Sequence, residues 1–142
     1  NPKPTETTKT ETPTPKPEAG AAQTISNELI DGGICTVAWS VEEYAESPTV
    51  GVPASYWDDG SLRTCAVERT ADSLTRWVTI LTGSQLLATY GDGWAVPSGS
   101  VAIFNSDKTI VLNKNVAKTD IKDDAVVQAI LVKYGGTVVV GK

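Results

Sequence analysis

The stretch DDAVVQAILVKYGGTVVV, residues 123–140, contains the clearest fold signal in this 142-residue sequence. Four of its side chains recur at i, i+3, i+4 and i+7, the spacing of one helical face. They are Val127, Ile130, Leu131 and Tyr134. Asp120 and Asp123 stand at the predicted helix start, where negative charge is favoured, and the glycines at 135–136 end the helix. The apolar run 137–140 then predicts a buried strand.

The same helical spacing occurs once more, further upstream, and predicts a helix over residues 74–81. Its apolar face contains Leu74, Trp77, Val78 and Leu81. Thr70 or Asp72 can cap the start of this helix, and Gly83 can end it.

Strands are predicted wherever short apolar runs are bounded by turn residues. In addition to 137–140, these runs cover residues 34–39, 65–69, 86–90, 94–96, 101–105 and 108–112. Ser106 and Asp107 form the predicted hairpin turn between the last two runs. Residues 45–63, with two Pro and the Asp-Asp-Gly turn, predict a long ordered loop. We therefore expect an α+β fold, mainly an antiparallel sheet with two helices packed on one face.

The first twenty residues, NPKPTETTKTETPTPKPEAG, contain five Pro and six Thr and almost no apolar side chain. Such a segment buries too little surface to offset the entropy of ordering it. We expect residues 1–23 to be a disordered Pro/Thr-rich linker or stalk, and residues 24–142 to form a single globular α+β domain. Three Lys and three Glu cancel within this tail, so the formal charge of −5 belongs to the domain.

Alternating Pro, Thr and single charges favour an extended spacer. Over residues 1–20 the chain resembles the stalks that follow the signal peptide or lipidated cysteine of Gram-positive, especially actinobacterial, envelope lipoproteins and secreted proteins. This resemblance names no family for the domain. It implies an extracytoplasmic protein, secreted or anchored at the cell surface, with a possible membrane tether through a lipidated residue upstream of Asn1. A linker between the domains of a larger protein would have the same composition.

Two cysteines, Cys35 and Cys65, bracket the predicted loop. In a small chain with a Thr/Pro tail this pattern favours one disulfide bond and an oxidising compartment. Two buried free thiols in a cytosolic protein are the alternative.

Several kinds of site are excluded by composition. The chain has no His, so it lacks the base of Ser-His-Asp and Cys-His catalysis, and two Cys cannot make a four-ligand zinc site. We therefore predict no metal site, no cofactor and no catalytic residues of these types. The charge of −5 makes a nucleic-acid partner unexpected, because phosphate binding needs clustered Lys and Arg.

Aromatic residues stand beside turn acids in two places, the segment Tyr56-Trp57-Asp58-Asp59 and the turn formed by Tyr90, Asp92 and Trp94. An apolar ring to stack on and a carboxylate to accept hydroxyl donors are typical of sugar- or peptide-binding surfaces. We predict these seven residues as the binding site. The alternative is structural: the acids are ordinary turn residues, and Trp39, Trp57 and Trp77 lie in the core.

The resulting hypothesis is a non-catalytic binding or accessory module of the bacterial cell envelope, tethered by its stalk and docking an envelope protein or a cell-wall glycan. One alternative is an envelope hydrolase that uses carboxylates alone. It would draw on Glu42, Glu43, Asp58, Asp59 and Asp92, and would need two of them facing each other across a groove. The other alternative is a lipoprotein accessory subunit of a membrane complex.

Overall fold

The computed structural model describes residues 20–48, 51–67, 76–113 and 124–142. Residues 1–19 of the tail that was predicted to be disordered lie outside these ranges. Residues 21–23, which the prediction also included in the tail, belong to the first helix. Within them the chain forms four α-helices, one 3₁₀ helix and six strands. In chain order they are α1 (Ala21–Asp31), β1 (Val37–Ala38), α2 (Val41–Glu46), the 3₁₀ helix (Ala54–Trp57), β2 (Leu62–Val67), β3 (Arg76–Thr82), α3 (Ser84–Tyr90), β4 (Ser100–Phe104), β5 (Lys108–Asn113), α4 (Ala125–Tyr134) and β6 (Thr137–Val140).

The six strands form one antiparallel sheet in the order β1-β2-β3-β5-β4-β6. The predicted α+β class is therefore confirmed. The two longer helices, α1 and α4, pack on one face, which we call the helical face. They bury Leu29 and Ile130 against side chains such as Ile80 and Ile110.

The opposite face, which we call the turn face, is covered by shorter elements. Tyr44 of α2, Trp57 of the 3₁₀ helix and Leu86 of α3 pack there against sheet residues that include Leu81 and Val111. Because neighbouring residues of a strand point to opposite faces, Ile80 and Leu81 separate into the two cores.

The predicted disulfide is confirmed: Cys35 is bonded to Cys65. Both cysteines are buried in the core of the helical face. The bond joins the segment after α1 to β2, next to the short pairing of β1 with β2.

The C-terminal prediction is confirmed in its elements and corrected in two details. The residue that caps α4 is Asp124, whose carboxylate accepts from the backbone N–H groups of Val126 and Val127. Asp120 and Asp123 lie outside the described residues. Strand β6 pairs only with β4, so it is an edge strand whose valines are half-buried, where a buried strand was predicted.

Two predicted elements are wrong, and in opposite ways. The helix expected over 74–81 is, in its described part, strand β3, and the strand expected over 86–90 is helix α3. Strand β3 is buried on both faces, so apolar side chains occur at neighbouring positions such as Ile80 and Leu81, and the alternation of a half-exposed strand is lost. Together with Leu74, the apolar residues of this strand also fall at helical spacing. Helix α3 has only seven residues, too few to show a period.

The remaining differences concern element bounds. The hairpin of β4 and β5 is confirmed, with residues 106–107 at its turn. Residues 94–96 form no strand, and the strand expected over 34–39 is only Val37–Ala38. Helix α1 is absent from the prediction, and residues 45–63 contain the end of α2 and the 3₁₀ helix instead of being loop throughout.

Candidate functional site

The first predicted aromatic group contains Trp57, which the structure places in the core. The side chain is 9% exposed, and its ring lies 5.4 Å from the ring of Tyr44. The Arg63 guanidinium stacks at 4.8 Å from the same ring and donates to the Trp57 carbonyl oxygen at 2.6 Å. A ring covered in this way has no open face for a ligand. Tyr56 beside it is half-buried.

The two acids of this group, Asp58 and Asp59, are exposed and serve a turn. The Asp59 carboxylate accepts from the backbone N–H of Ser61 at 3.0 Å. Gly60 follows with a φ of 80°, and a Cβ there would meet the Gly20 backbone at 2.5 Å. Only glycine fits this position, where the turn meets the start of α1.

The same acids act electrostatically on Arg63. Burial lowers the pKa of Arg63, while Asp59 and then Asp58 act in the opposite direction. The guanidinium also donates to Gln23 of α1, so Arg63 links the 3₁₀ helix, β2 and α1. The geometry of Asp58 and Asp59 is thus that of turn residues which balance a partly buried cation.

The second predicted group remains at the surface. Tyr90 ends α3, and its ring meets the ring of Trp94 edge-on at a centroid distance of 5.3 Å. Both side chains are half-buried. The turn between them is closed by a hydrogen bond from the Trp94 N–H to the Gly91 carbonyl oxygen at 2.9 Å. A Cβ at Gly91 would collide with the Leu87 carbonyl oxygen, so this tight exit from the helix requires glycine.

Asp92, at the tip of this turn, lines a cleft of about 340 Å³ at one end of the sheet. The other lining residues are Phe104, Asn105, Ser106, Gly136 and Thr137. Asn105 is fixed in place because its Nδ2 donates to the Tyr134 carbonyl oxygen at 2.7 Å. Asp92, Ser106 and Thr137 are exposed at the cleft. Residues that carry a carboxylate, an amide and two hydroxyls therefore line one cavity.

Tyr44 lies between the two predicted groups. Its ring contacts Trp57, and its buried hydroxyl donates to the Val52 carbonyl oxygen at 2.8 Å. Burial raises the pKa of Tyr44 above 10.0, and the nearby phenol of Tyr90 adds to this effect. The groups thus share the turn face, but only the second one borders a cleft.

A further aromatic surface is missing from the sequence prediction. Trp39 and Trp77 are both half-buried, with ring centroids 5.5 Å apart. Val37 and Trp77 both pair with Ala66, so they form a row across β1, β2 and β3 on the turn face, and Val37 is 58% exposed. This row was not recognised because residues 74–81 were predicted to be a helix. If residues 76–82 are taken as a strand, Trp77 falls on the same face as Leu81, and this period of two was the signal that could have revealed the row.

Within the described ranges, no group of three or more His, Cys, Asp or Glu is arranged to hold a metal ion. No helix in those ranges is long and apolar enough to cross a membrane. No family model matches the chain, and no curated protein or solved structure matches it.

Proposed function

We propose that this chain is a non-catalytic binding module of the bacterial cell envelope, held outside the membrane by its Pro/Thr stalk, which binds cell-wall glycan at the Asp92 cleft. The observation that supports this most is that Asp92, Asn105, Ser106 and Thr137 line one cleft, with Asp92 in the turn between the half-buried rings of Tyr90 and Trp94. The disulfide is compatible with the oxidising surroundings that the proposal requires.

The chemistry of the cleft suits a sugar. A hexose presents hydroxyl donors around its rim and apolar C–H groups on its faces. The Asp92 carboxylate accepts such donors, and the hydroxyls of Ser106 and Thr137 can both donate and accept. Trp94 and Tyr90 stand beside Asp92 and offer an apolar surface to a sugar face.

Binding is better supported than hydrolysis at this position. A glycosidase needs two carboxyl groups about 5–10 Å apart across the scissile bond. Among the described residues that line the cleft, Asp92 is the one carboxylate. Glu42 and Glu43 are exposed on α2, and Glu43 is engaged as a helix cap with Ser40. Asp58 and Asp59 belong to the turn before β2.

The Trp39–Trp77 surface supports a second candidate function, the docking of an envelope protein. Val37, Trp39 and Trp77 form an apolar, partly exposed row near the sheet edge at β1, and such rows are typical of protein interfaces. An accessory subunit of a membrane complex would use a surface of this kind. A pull-down from envelope membranes with wild-type protein and Trp39→Ala distinguishes protein docking from glycan binding. Loss of a captured protein in the variant supports docking at this surface.

Co-sedimentation with purified Gram-positive cell walls tests the glycan proposal. We expect the wild-type chain to pellet with the walls, and Asp92→Asn and Trp94→Ala to bind at least fivefold more weakly. Asp58→Asn is the matched control, since it removes an exposed acid from the other group and should bind like wild type. Equal binding by all four proteins, or no binding by any, would contradict the proposal.

A further inference from the structure

A second cleft, of about 510 Å³, lies on the helical face between α1, the end of α4 and the β4–β5 hairpin. Its size falls within the range of ordinary ligand sites. It is lined by Gly20, Ala21, Thr24, Ile25, Glu28, Asp107, Lys108 and Tyr134. None of the binding residues predicted from the sequence contributes to it.

Glu28 lines this cleft with an exposed carboxylate, one oxygen of which is already engaged in a hydrogen bond. The Tyr134 hydroxyl donates to Glu28 Oε1 at 2.7 Å and joins α4 to α1. Burial, together with this hydrogen bond to Glu28, raises the pKa of Tyr134, so the phenol keeps its proton and remains a donor. Among the described contacts, Oε2 of Glu28 has no protein donor.

The other charges lining the cleft balance each other. Lys108 is 8% exposed, its ammonium is paired with the Asp107 carboxylate, and its Nζ lies 5.1 Å from the centroid of the Tyr134 ring. Asp107 and Lys108 therefore cancel, so the exposed carboxylate of Glu28 gives the lining a net negative charge. A cation with N–H donors is the ligand whose charge complements such a lining.

We propose that this cleft binds a primary ammonium group on an aliphatic stem, as in a lysine-type side chain of a peptide. The ammonium donates to Glu28 Oε2 and to the Thr24 hydroxyl oxygen, whose own proton points to the Gly20 carbonyl oxygen at 3.4 Å. The methylene stem packs on Ile25 and Ala21 along α1. This site lies on the opposite face from the Trp39–Trp77 row and does not depend on glycan binding at Asp92.

The test is an NMR titration of the full chain with Nα-acetyl-lysine methylamide, which has the side-chain ammonium and no terminal charge. We expect saturable shifts of the Thr24, Ile25 and Glu28 amide signals. The Nε-acetylated analogue, which lacks the charge, should bind at least tenfold more weakly. No saturable shift up to about 50 mM ligand, a range that includes the dissociation constants of weak ligands, would overturn the proposal. Equal binding of the acetylated analogue would overturn it as well.

Two variants separate a direct role of Glu28 from a structural one. Glu28→Gln removes the charge and should weaken binding at least tenfold. Tyr134→Phe breaks the same contact between α1 and α4 but leaves the carboxylate, so it should bind within threefold of wild type. Loss of binding in both variants would show that the helix contact matters instead of the charge, and would overturn the proposal. Asp58→Asn controls for a general loss of negative charge.

Discussion

The chain contains two groups of Tyr, Trp and Asp on the same face of its sheet, and the structure places them in different surroundings. In the first, the Trp57 ring is enclosed between Tyr44 and Arg63, and Asp59 supports a turn. In the second, Trp94 and Tyr90 meet edge-on at the surface, and Asp92 lines a cleft. The residue types are the same in both, so residue type alone does not decide whether a ring is covered.

The difference comes from what covers each ring. The first group lies in a 3₁₀ helix that packs beside α2, so a neighbouring helix supplies the covering Tyr44. The second follows the end of α3, where the chain leaves the helix through a glycine-bounded turn, and nothing in the described chain encloses it to the same degree. Aromatic residues beside acids are accessible to a ligand only where the fold leaves a ring face open.

The largest contrast is expected between the two tryptophans. Trp57→Ala empties a core position and should lower the free energy of unfolding by about 3–5 kcal/mol. Trp94→Ala removes a half-buried ring and should cost about 1–2 kcal/mol. Urea unfolding of the two variants measures both values. Equal losses would mean that the two rings are equally buried in solution and would remove the basis of the comparison.

Substitution of two aspartates, one buried and one exposed, should also change stability by different amounts. Asp124 is buried and paired with Arg76 at 2.9 Å, with side chains 2% and 5% exposed. Asp124→Asn keeps a helix cap but leaves the buried Arg76 cation without its counter-charge, and should lower the free energy of unfolding by about 3 kcal/mol. Asp92→Asn, at an exposed site, should change stability by less than about 0.5 kcal/mol. Thermal unfolding at neutral pH gives the comparison, and a large loss for Asp92→Asn would assign that residue a structural role.

A smaller effect is expected from Tyr44, the residue between the two groups. Tyr44→Phe leaves the buried Val52 carbonyl oxygen without its donor and should cost about 1 kcal/mol. Because burial raises the pKa of Tyr44 above 10.0, the unfolded chain loses this proton first. Wild-type stability should therefore be constant through neutral pH and fall as the pH rises above the ordinary tyrosine pKa.

The variant sharpens this expectation, since Phe cannot titrate. Tyr44→Phe should show a weaker alkaline loss of stability than wild type, although Tyr134, whose pKa is raised as well, still contributes. Denaturant unfolding at a series of alkaline pH values gives both slopes. Identical slopes would show that Tyr44 ionises as readily in the folded chain as in the unfolded one.

Local signals in the sequence predicted the parts of the fold that local chemistry determines. The α4–β6 unit has a helical face ended by glycines, the β4–β5 hairpin has a turn signal, and the cysteine pair suggested its bond. Strand β3 was missed because central strands buried on both faces lose the alternation that identifies them. Helix α1 was missed although Ala22, Ile25 and Leu29 lie on one helical face, because Ala22 falls within the residues assigned to the Pro/Thr tail.

The site was only partly accessible to the same reasoning. The acids and rings of both groups could be identified from the sequence. The burial of the Trp57 ring could not, because it depends on contacts with Tyr44 and Arg63 that no sequence pattern indicates. The cleft partners Asn105 and Thr137 come from separate elements that meet only through the pairing of β4 with β6. Long-range pairing of this kind has no local sequence signal.

The most direct test follows the indole N–H signals of the four tryptophans by NMR while an N-acetylglucosamine tetrasaccharide is added as the glycan probe. If an open ring beside Asp92 makes the binding surface, the Trp94 signal should shift saturably while the Trp57 signal stays in place. Asp92→Asn should weaken this response at least fivefold. A Trp57 shift without a Trp94 shift, or no saturable shift at any tryptophan, would contradict the central claim.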